Sequence, residues 1–524
     1  MMPIRYFDFF PTADFCGWFN PTNVTEDIYM KYISTRGGAS SGVSSAYAIK
    51  CGLAEDGGLF MPEKIPKIDS EFLAKLSSLS YAKRATEILS LFLSDFDRAE
   101  LYGAAMGAYS KERFGDDPAP VTYLSGGISM LELWHGPTCA FKDMALQIMP
   151  RLFTASLKKC GEEREALILV ATSGDTGKAA LEGYRDVDGV SVKVFYPTDG
   201  VSQMQKLQMQ TQEGKNLSVS GIRGNFDDAQ NGVKAIFSDR EFGNLLDRGG
   251  VFLSSANSIN WGRLVPQIVY YFSAYADMCK CGRIRMGDTV DVTVPTGNFG
   301  NIFAGFLAKM MRLPIGRLVC ASNKNDVLTE FLRYGRYNKN RPFHATISPS
   351  MDILISSNLE RLIYLLFGQA RCKELMGELR ERGEYRLTAD ELSVIQKHFA
   401  GYSTDEEECA LCIKETFEKE KYLIDTHTSV ALSAAKRYMH DYKASSEMLV
   451  ISTATPYKFA ADVLKSAFGI SADSTSAPKI LEELSGVSMP EPIAALGEKK
   501  VIHKGVIERD DMAEKTLEFA LRKG

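Results

Sequence analysis

Asp291-Val292-Thr293-Val294-Pro295-Thr296-Gly297-Asn298-Phe299-Gly300-Asn301 reads as a buried strand that breaks into a glycine-bearing turn and opens a helix. The β-branched run over 291–294 is short and nearly continuous, which suits a strand covered on both faces. Helical periodicity then runs to about Met311. The same unit recurs on either side. Residues 166–170 form an apolar run that ends in Thr172-Ser173-Gly174-Asp175-Thr176-Gly177 and an alanine-rich helical stretch. Residues 192–196, closed by Pro197, and residues 318–321 and 448–452 are further short runs with polar turns behind them. Buried strands alternating with helices predict open, parallel α/β sheets. Ligands in such sheets sit beyond the carboxyl ends of the strands, where these Gly/Ser/Thr turns fall.

Residues 30–120 lack this unit. Asp56-Gly57-Gly58-Leu59-Phe60-Met61-Pro62 reads as a turn and short strand, and residues 70–114 as mainly helical, so we assign 30–120 to a separate amino-terminal domain. The α/β remainder divides into a small domain, 166–285, and a large one, 121–165 with 286–524. Residues 370–420 read as charged, solvated helix. Residues 1–29 are rich in aromatics, including Tyr6, Phe7, Phe9, Phe10 and Trp18, but have no apolar h-region. A second start at Met30 marks them as an appended segment or an upstream start.

Bulk properties narrow the function. A net charge of −5 over 524 residues gives no basic footprint, which argues against nucleic acid as a partner. No apolar run is long enough to span a bilayer. The 10 cysteines are scattered, as expected of reduced thiols in a cytoplasmic protein. The close pairs Cys279/Cys281 and Cys409/Cys412 lack a second half at metal-binding spacing, so no metal site is expected. The expectation is a cytoplasmic enzyme for a small molecule, monomeric or homodimeric.

Leu133-Trp134-His135-Gly136-Pro137-Thr138-Cys139-Ala140-Phe141-Lys142-Asp143 places a lysine in an apolar frame just before a helical run over 144–157. Desolvation lowers a lysine's pKa and lets its amine join an aldehyde as a Schiff base. Gly297, Asn298, Phe299, Gly300 and Asn301 offer backbone N–H groups and a helix N-terminus to an anion, without P-loop or dinucleotide spacing. Ser173, Asp175 and Thr176 lie in a second anion-ready turn; an ionised aspartate cannot donate, so the N–H groups and hydroxyls would bind. Asn257-Ser258-Ile259-Asn260-Trp261-Gly262-Arg263 clusters amide donors with a guanidinium, suited to a phosphate ester. Ser452-Thr453-Ala454-Thr455-Pro456 follows a strand, and a neutral hydroxyl at such a place can accept from or donate to a ring nitrogen without forcing it to be protonated. Each segment alone also reads as an ordinary turn or helix cap. Together they amount to an aldehyde-bearing amine, a cofactor phosphate cradle, a carboxylate turn and a second phosphate site. That combination matches pyridoxal 5′-phosphate acting on a phosphorylated amino acid.

With Tyr32-Ile33-Ser34-Thr35-Arg36, Ser356-Ser357-Asn358-Leu359-Glu360-Arg361, Asp425-Thr426-His427-Thr428 and Ala454-Thr455-Pro456-Tyr457-Lys458-Phe459 added in this order, the chain resembles the threonine synthases of the longer class found in fungi and many bacteria. The resemblance covers nearly everything after Met30. It implies the tryptophan synthase β-like fold, type II among pyridoxal phosphate enzymes, with two open α/β domains plus an amino-terminal domain. It further implies that Lys142 carries the cofactor, that Gly297, Asn298, Phe299, Gly300 and Asn301 bind its phosphate, and that Thr453 faces its ring nitrogen. Ser173, Asp175 and Thr176 would meet the substrate carboxylate and the ring hydroxyl side; Asn257 and Arg263 would hold the substrate phosphate. The implied reaction turns O-phospho-L-homoserine and water into L-threonine and phosphate.

Two departures stand out. Trp134 occupies a place where phenylalanine is more typical. Thr455 stands where the family usually has histidine, which removes a group that titrates near neutrality. The main competing expectation is therefore a phospho-lyase that releases 2-oxobutyrate, ammonia and phosphate. A catalytically silent binding or scaffold relative is the third.

Overall fold

The computed structural model describes residues 29–38, 42–198 and 201–522. Except for Tyr29, the segment read as an extension or upstream start lies outside them.

Two sheets organise the fold. The larger has the order Phe399–Ser403, Ile315–Ser322, Val290–Pro295, Glu447–Ser452, Ile128–Glu132, Val121–Leu124. Its pairs are parallel except the last, an antiparallel edge. The smaller runs Val506–Ile507, Leu217–Ile222, Val190–Pro197, Glu165–Ala171, Val251–Ser254 and is parallel throughout. Val290–Pro295 is buried at every position, as its continuous apolar character requires. Its polar members are satisfied inside: Asp291 accepts from Ser446 Oγ at 2.7 Å and from the Arg317 N–H at 2.6 Å.

Tyr32–Ser34 pairs antiparallel with Phe60–Pro62, and the helices Ser70–Ser77, Tyr81–Phe92, Arg98–Ala108 and Lys111–Phe114 follow. Arg84 anchors this unit to the long helix Pro266–Lys280, donating to both Asp277 carboxylate oxygens at 2.6 Å. One apolar core runs without a break from these helices into both sheets.

Three local expectations need correction. The helical run over 144–157 is two helices, Asp143–Leu146 and Met149–Lys159, the second begun by Pro150, which lacks an N–H and suits a first turn. Residues 370–420 hold two strands, Glu384–Arg386 and Phe399–Ser403. The second adds an edge to the large sheet, and its small and aromatic residues gave no alternation to read. The segment 286–524, grouped whole with the large domain, divides. Val506–Ile507 pairs with Leu217–Ile222, and helix Met512–Ala520 closes an apolar face built from Leu169, Phe195, Ile222 and Val233. The free edge and outer face of the smaller sheet take up this last segment because both would otherwise stay unpaired.

Candidate active site

The central strands of the large sheet end side by side, and their loops are stitched together. The Leu133 N–H donates to Ser452 O at 3.0 Å, the Phe141 N–H to Thr453 O at 2.8 Å and the Thr455 N–H to Cys139 O at 3.2 Å. This sets Lys142, at the start of helix Asp143–Leu146, against the turn that follows Glu447–Ser452. Lys142 is 8% exposed. Its Nζ lies 3.5 Å from Asp175 Oδ2 and 3.4 Å from Ser350 Oγ. Burial brings the amine down to about 8, assisted by the charges of Arg263 and Lys458 and opposed by Asp175. That range suits an amine that must be neutral to react.

Asp175 opens helix Asp175–Tyr184 after the strand Glu165–Ala171. Its carboxylate, 3% exposed, accepts from Lys458 Nζ at 2.7 Å, Gln205 Nε2 at 2.7 Å and Ser350 Oγ at 3.3 Å. Burial works to raise its pKa, but Lys458 and Lys142 prevail and hold the carboxyl well below the usual range. The sequence suggested that this turn binds through N–H groups and hydroxyls. The carboxylate is instead taken up by Lys458, Gln205 and Ser350, which leaves half-buried Ser173 and Thr176 as the free donors of the turn among the described residues. Thr172 Oγ1 shapes it, accepting from the N–H of Gly174 at 3.0 Å and of Gly177 at 2.9 Å.

The turn 297–301 stands at the end of Val290–Pro295. Its carbonyls are held: Gly297 O accepts from Ser356 Oγ at 2.7 Å, and Asn298 O from Asn358 Nδ2 at 2.9 Å. Phe299 is the N-cap of helix Gly300–Met310 with φ 62°, a left-handed conformation unusual for a non-glycine residue. Its ring is buried against Phe399, so it can offer only its amide. Asn301 is similar: its Oδ1 accepts from the hydroxyls of Tyr270 and Tyr271, both at 2.6 Å, which turns the side chain away from the loop. What remains is a first helical turn whose N–H groups have no intrahelical acceptors. At Gly297 a Cβ would stand 2.7 Å from the Ser350 carbonyl, so only glycine fits.

Arg263 lies in the short helix Trp261–Leu264 and is 5% exposed. Its Nη1 donates to Ala256 O at 2.9 Å, and among the described residues no carboxylate pairs with it. Burial lowers its guanidinium to about 10. A buried guanidinium with spare donors asks for an anion. Asn257 lies half-buried on the same loop. Asn260 does not serve there: its Nδ2 donates to Ile49 O at 2.8 Å and its Oδ1 caps the helix at Gly262 N. Fully buried Arg361 braces the loop from behind through the carbonyls of Ser258 and Ile259.

Thr453 is buried at the end of Glu447–Ser452, its N–H 3.4 Å from Thr428 Oγ1. Trp134 spends its extra N–H on Ser452 Oγ at 3.0 Å.

Four residues of this neighbourhood carried no assigned role in the sequence: Lys458, Ser350, His427 and Asp425. His427 Nε2 accepts from the Ser350 N–H at 3.2 Å, and its Nδ1 pairs with Asp425 Oδ1 at 2.9 Å. The strings Asp425-Thr426-His427-Thr428 and Tyr457-Lys458-Phe459 marked the places, but nothing local tied them to Lys142. The whole donor set fits a phosphate ester that bears an aldehyde: an amine of lowered pKa, open amides at a helix start, and a separate unpaired guanidinium.

Comparison with known proteins agrees with this chemistry. Residues 31–109 match the family model described as threonine synthase N terminus, and residues 128–454 match that of pyridoxal-phosphate dependent enzymes. The chain is 38% identical to threonine synthase-like 1 of Homo sapiens over 88% of its own length and 62% of that protein's, so it spans under two thirds of that relative. It is 38% identical to threonine synthase of Pseudomonas aeruginosa, covering 84% of this chain and 91% of the other. The crystal structure of PLP-bound threonine synthase from Brucella melitensis superposes with a TM-score of 0.82 at 36% identity, over 94% of this chain and all of that one.

Proposed function

The chain belongs to the threonine synthases, within the pyridoxal-phosphate-dependent enzymes, and from that premise we propose that it converts O-phospho-L-homoserine and water into L-threonine and phosphate. The observation that carries the proposal is the pairing of two unlike groups in one buried site: the Lys142 amine, brought to about 8, and the Arg263 guanidinium, which has no carboxylate partner among the described residues. The first suits an aldehyde cofactor and the second a phosphorylated substrate.

In this reading Lys142 and the open amides of 297–301 would hold pyridoxal 5′-phosphate, which would supply an electron sink for negative charge developing beside the substrate's amino group. Lys142 would move the Cα proton, because an amine brought to about 8 both accepts and returns a proton near neutral pH. Ser350 Oγ, within 3.5 Å of both Lys142 and Asp175, orients that amine. Ser173 and Thr176 bind the substrate carboxylate. Arg263 and Asn257 hold the substrate phosphate and keep it in place as its bond to Cγ breaks. Thr453 would offer the cofactor ring a neutral hydroxyl. The nine described cysteines are all free, which suits a cytoplasmic enzyme of amino-acid biosynthesis. No described helix is long and apolar enough to cross a membrane.

The deciding experiment is turnover of O-phospho-L-homoserine by the purified protein, with threonine and 2-oxobutyrate measured side by side. Threonine as the main product is expected. Predominant 2-oxobutyrate would overturn the hydration step and identify a phospho-lyase.

A further inference from the structure

The buried site holds more positive charge than it can neutralise. Among the described residues Asp175 is the only carboxylate in contact with Lys142 and Lys458, and Arg263 adds a third cation from helix Trp261–Leu264. Arginine does not give up its proton in proteins, so one of the two lysines is the cheapest to neutralise.

Their contacts differ. Lys458, fully buried in the turn Pro456–Phe459, holds Asp175 Oδ1 at 2.7 Å and donates to Thr138 O at 3.0 Å. The first is as short as a charge-assisted hydrogen bond. Lys142 reaches Asp175 Oδ2 only at 3.5 Å and Ser350 Oγ only at 3.4 Å. The remaining titratable neighbours do not alter the order. Cys139 and Asp143 lie on the Lys458 side. Burial pushes the Cys139 thiol up to about 12, so it stays neutral, and raises Asp143 to about 6 while Thr138 occupies both its oxygens. His427 reaches Lys142 only through Ser350.

We propose that Lys458 is the resident counter-ion of Asp175, and that by occupying this carboxylate it leaves the Lys142 amine uncharged and available to an aldehyde. Lys458 acts through Lys142 and is a positioning residue. The inference rests on the reading of Lys142 as the cofactor-bearing amine. In that step the amine lone pair attacks the aldehyde carbon, a carbon–nitrogen double bond replaces the carbonyl, and the two amine protons leave with the oxygen as water. An ammonium has no lone pair to begin it. Without Lys458, Asp175 would take Lys142 as its partner and hold it protonated.

The test is cofactor loading by the full-length chain, stripped and mixed with pyridoxal 5′-phosphate over a pH series and followed by ring absorbance. Lys458→Gln is expected to move half-maximal loading to higher pH, so that loading near neutrality falls about tenfold for each pH unit of displacement. Lys458→Arg, which keeps the charge, is expected to follow the wild type. A Lys458→Gln profile that matches the wild type, or equal loss in both variants, would overturn the role of Lys458 while leaving Lys142 in place. No loading by the wild type would overturn the reading of Lys142 itself. Should the variants not fold, competitive acylation of the cofactor-free wild type decides: Lys142 should react near neutral pH, and a Lys142 that resists acylation there refutes the proposal.

Discussion

The backbone N–H of Ser350 donates to Nε2 of His427 at 3.2 Å. That bond leaves Nδ1 as the protonated nitrogen, facing Asp425 at 2.9 Å. The same serine places its hydroxyl 3.4 Å from Lys142 and its carbonyl against the glycine of the 297–301 turn. His427 therefore positions a residue that touches two parts of the site at once. His427→Phe should lower kcat by on the order of 10- to 100-fold through misplacement of Ser350, with the cofactor still bound. His427→Gln, which restores an acceptor, should recover part of the loss. Steady-state kinetics with ring absorbance as the loading control decides; full activity in His427→Phe would remove the role.

Arg263 has spare donors and, among the described residues, no carboxylate partner. Hydrogen bonds to a charged group contribute about 1.5–3 kcal/mol each, so Arg263→Met should cut kcat/KM by about 10- to 100-fold. Inorganic phosphate should raise the melting temperature of the wild type by binding the folded state, and this increment should vanish in the variant. An equal phosphate-induced shift in both proteins would place the anion elsewhere.

Gly297→Ala puts a methyl group 2.7 Å from the Ser350 carbonyl, a contact with backbone that cannot swing aside. Overpacking of this kind typically costs about 1–3 kcal/mol. Weaker pyridoxal 5′-phosphate binding is expected, together with a lower melting temperature in the holoenzyme. Unchanged cofactor affinity would show that the turn does not carry the phosphate.

His398, beside the edge strand Phe399–Ser403, packs against Phe306 with ring centroids 5.2 Å apart, and its Nδ1 has no partner. Burial lowers its pKa from 6.5 to about 4. Between those values the unfolded chain binds a proton that the folded chain refuses, so stability falls as pH drops through that window. His398→Phe should flatten that part of the melting-temperature profile. An unchanged slope would assign acid sensitivity to other groups.

The alternation of buried runs with glycine-bearing turns was readable because it depends on neighbours a few residues apart. It identified the strands over 166–170, 192–196, 291–294, 318–321 and 448–452. Lys142 and the 297–301 turn were equally visible, since a Gly/Pro-framed lysine and a strand–turn–helix junction are local features. Phe399–Ser403 escaped because its composition carries no alternation. Val506–Ile507 was missed because only the open edge of a distant strand makes it one.

The amino-acid sequence by itself determined the fold class and marked Lys142 and the glycine-bearing turns as candidates, because these follow from local periodicity and residue chemistry. Tertiary structure alone decided which charges meet. Asp175 faces Lys142, Ser350 and Lys458, three residues drawn from three other parts of the chain. Electrostatic energies depend on separation and burial, and neither quantity exists until the chain is folded. The long contact of Lys142 and the short one of Lys458 are therefore properties of the packed site, and they decide which lysine stays charged.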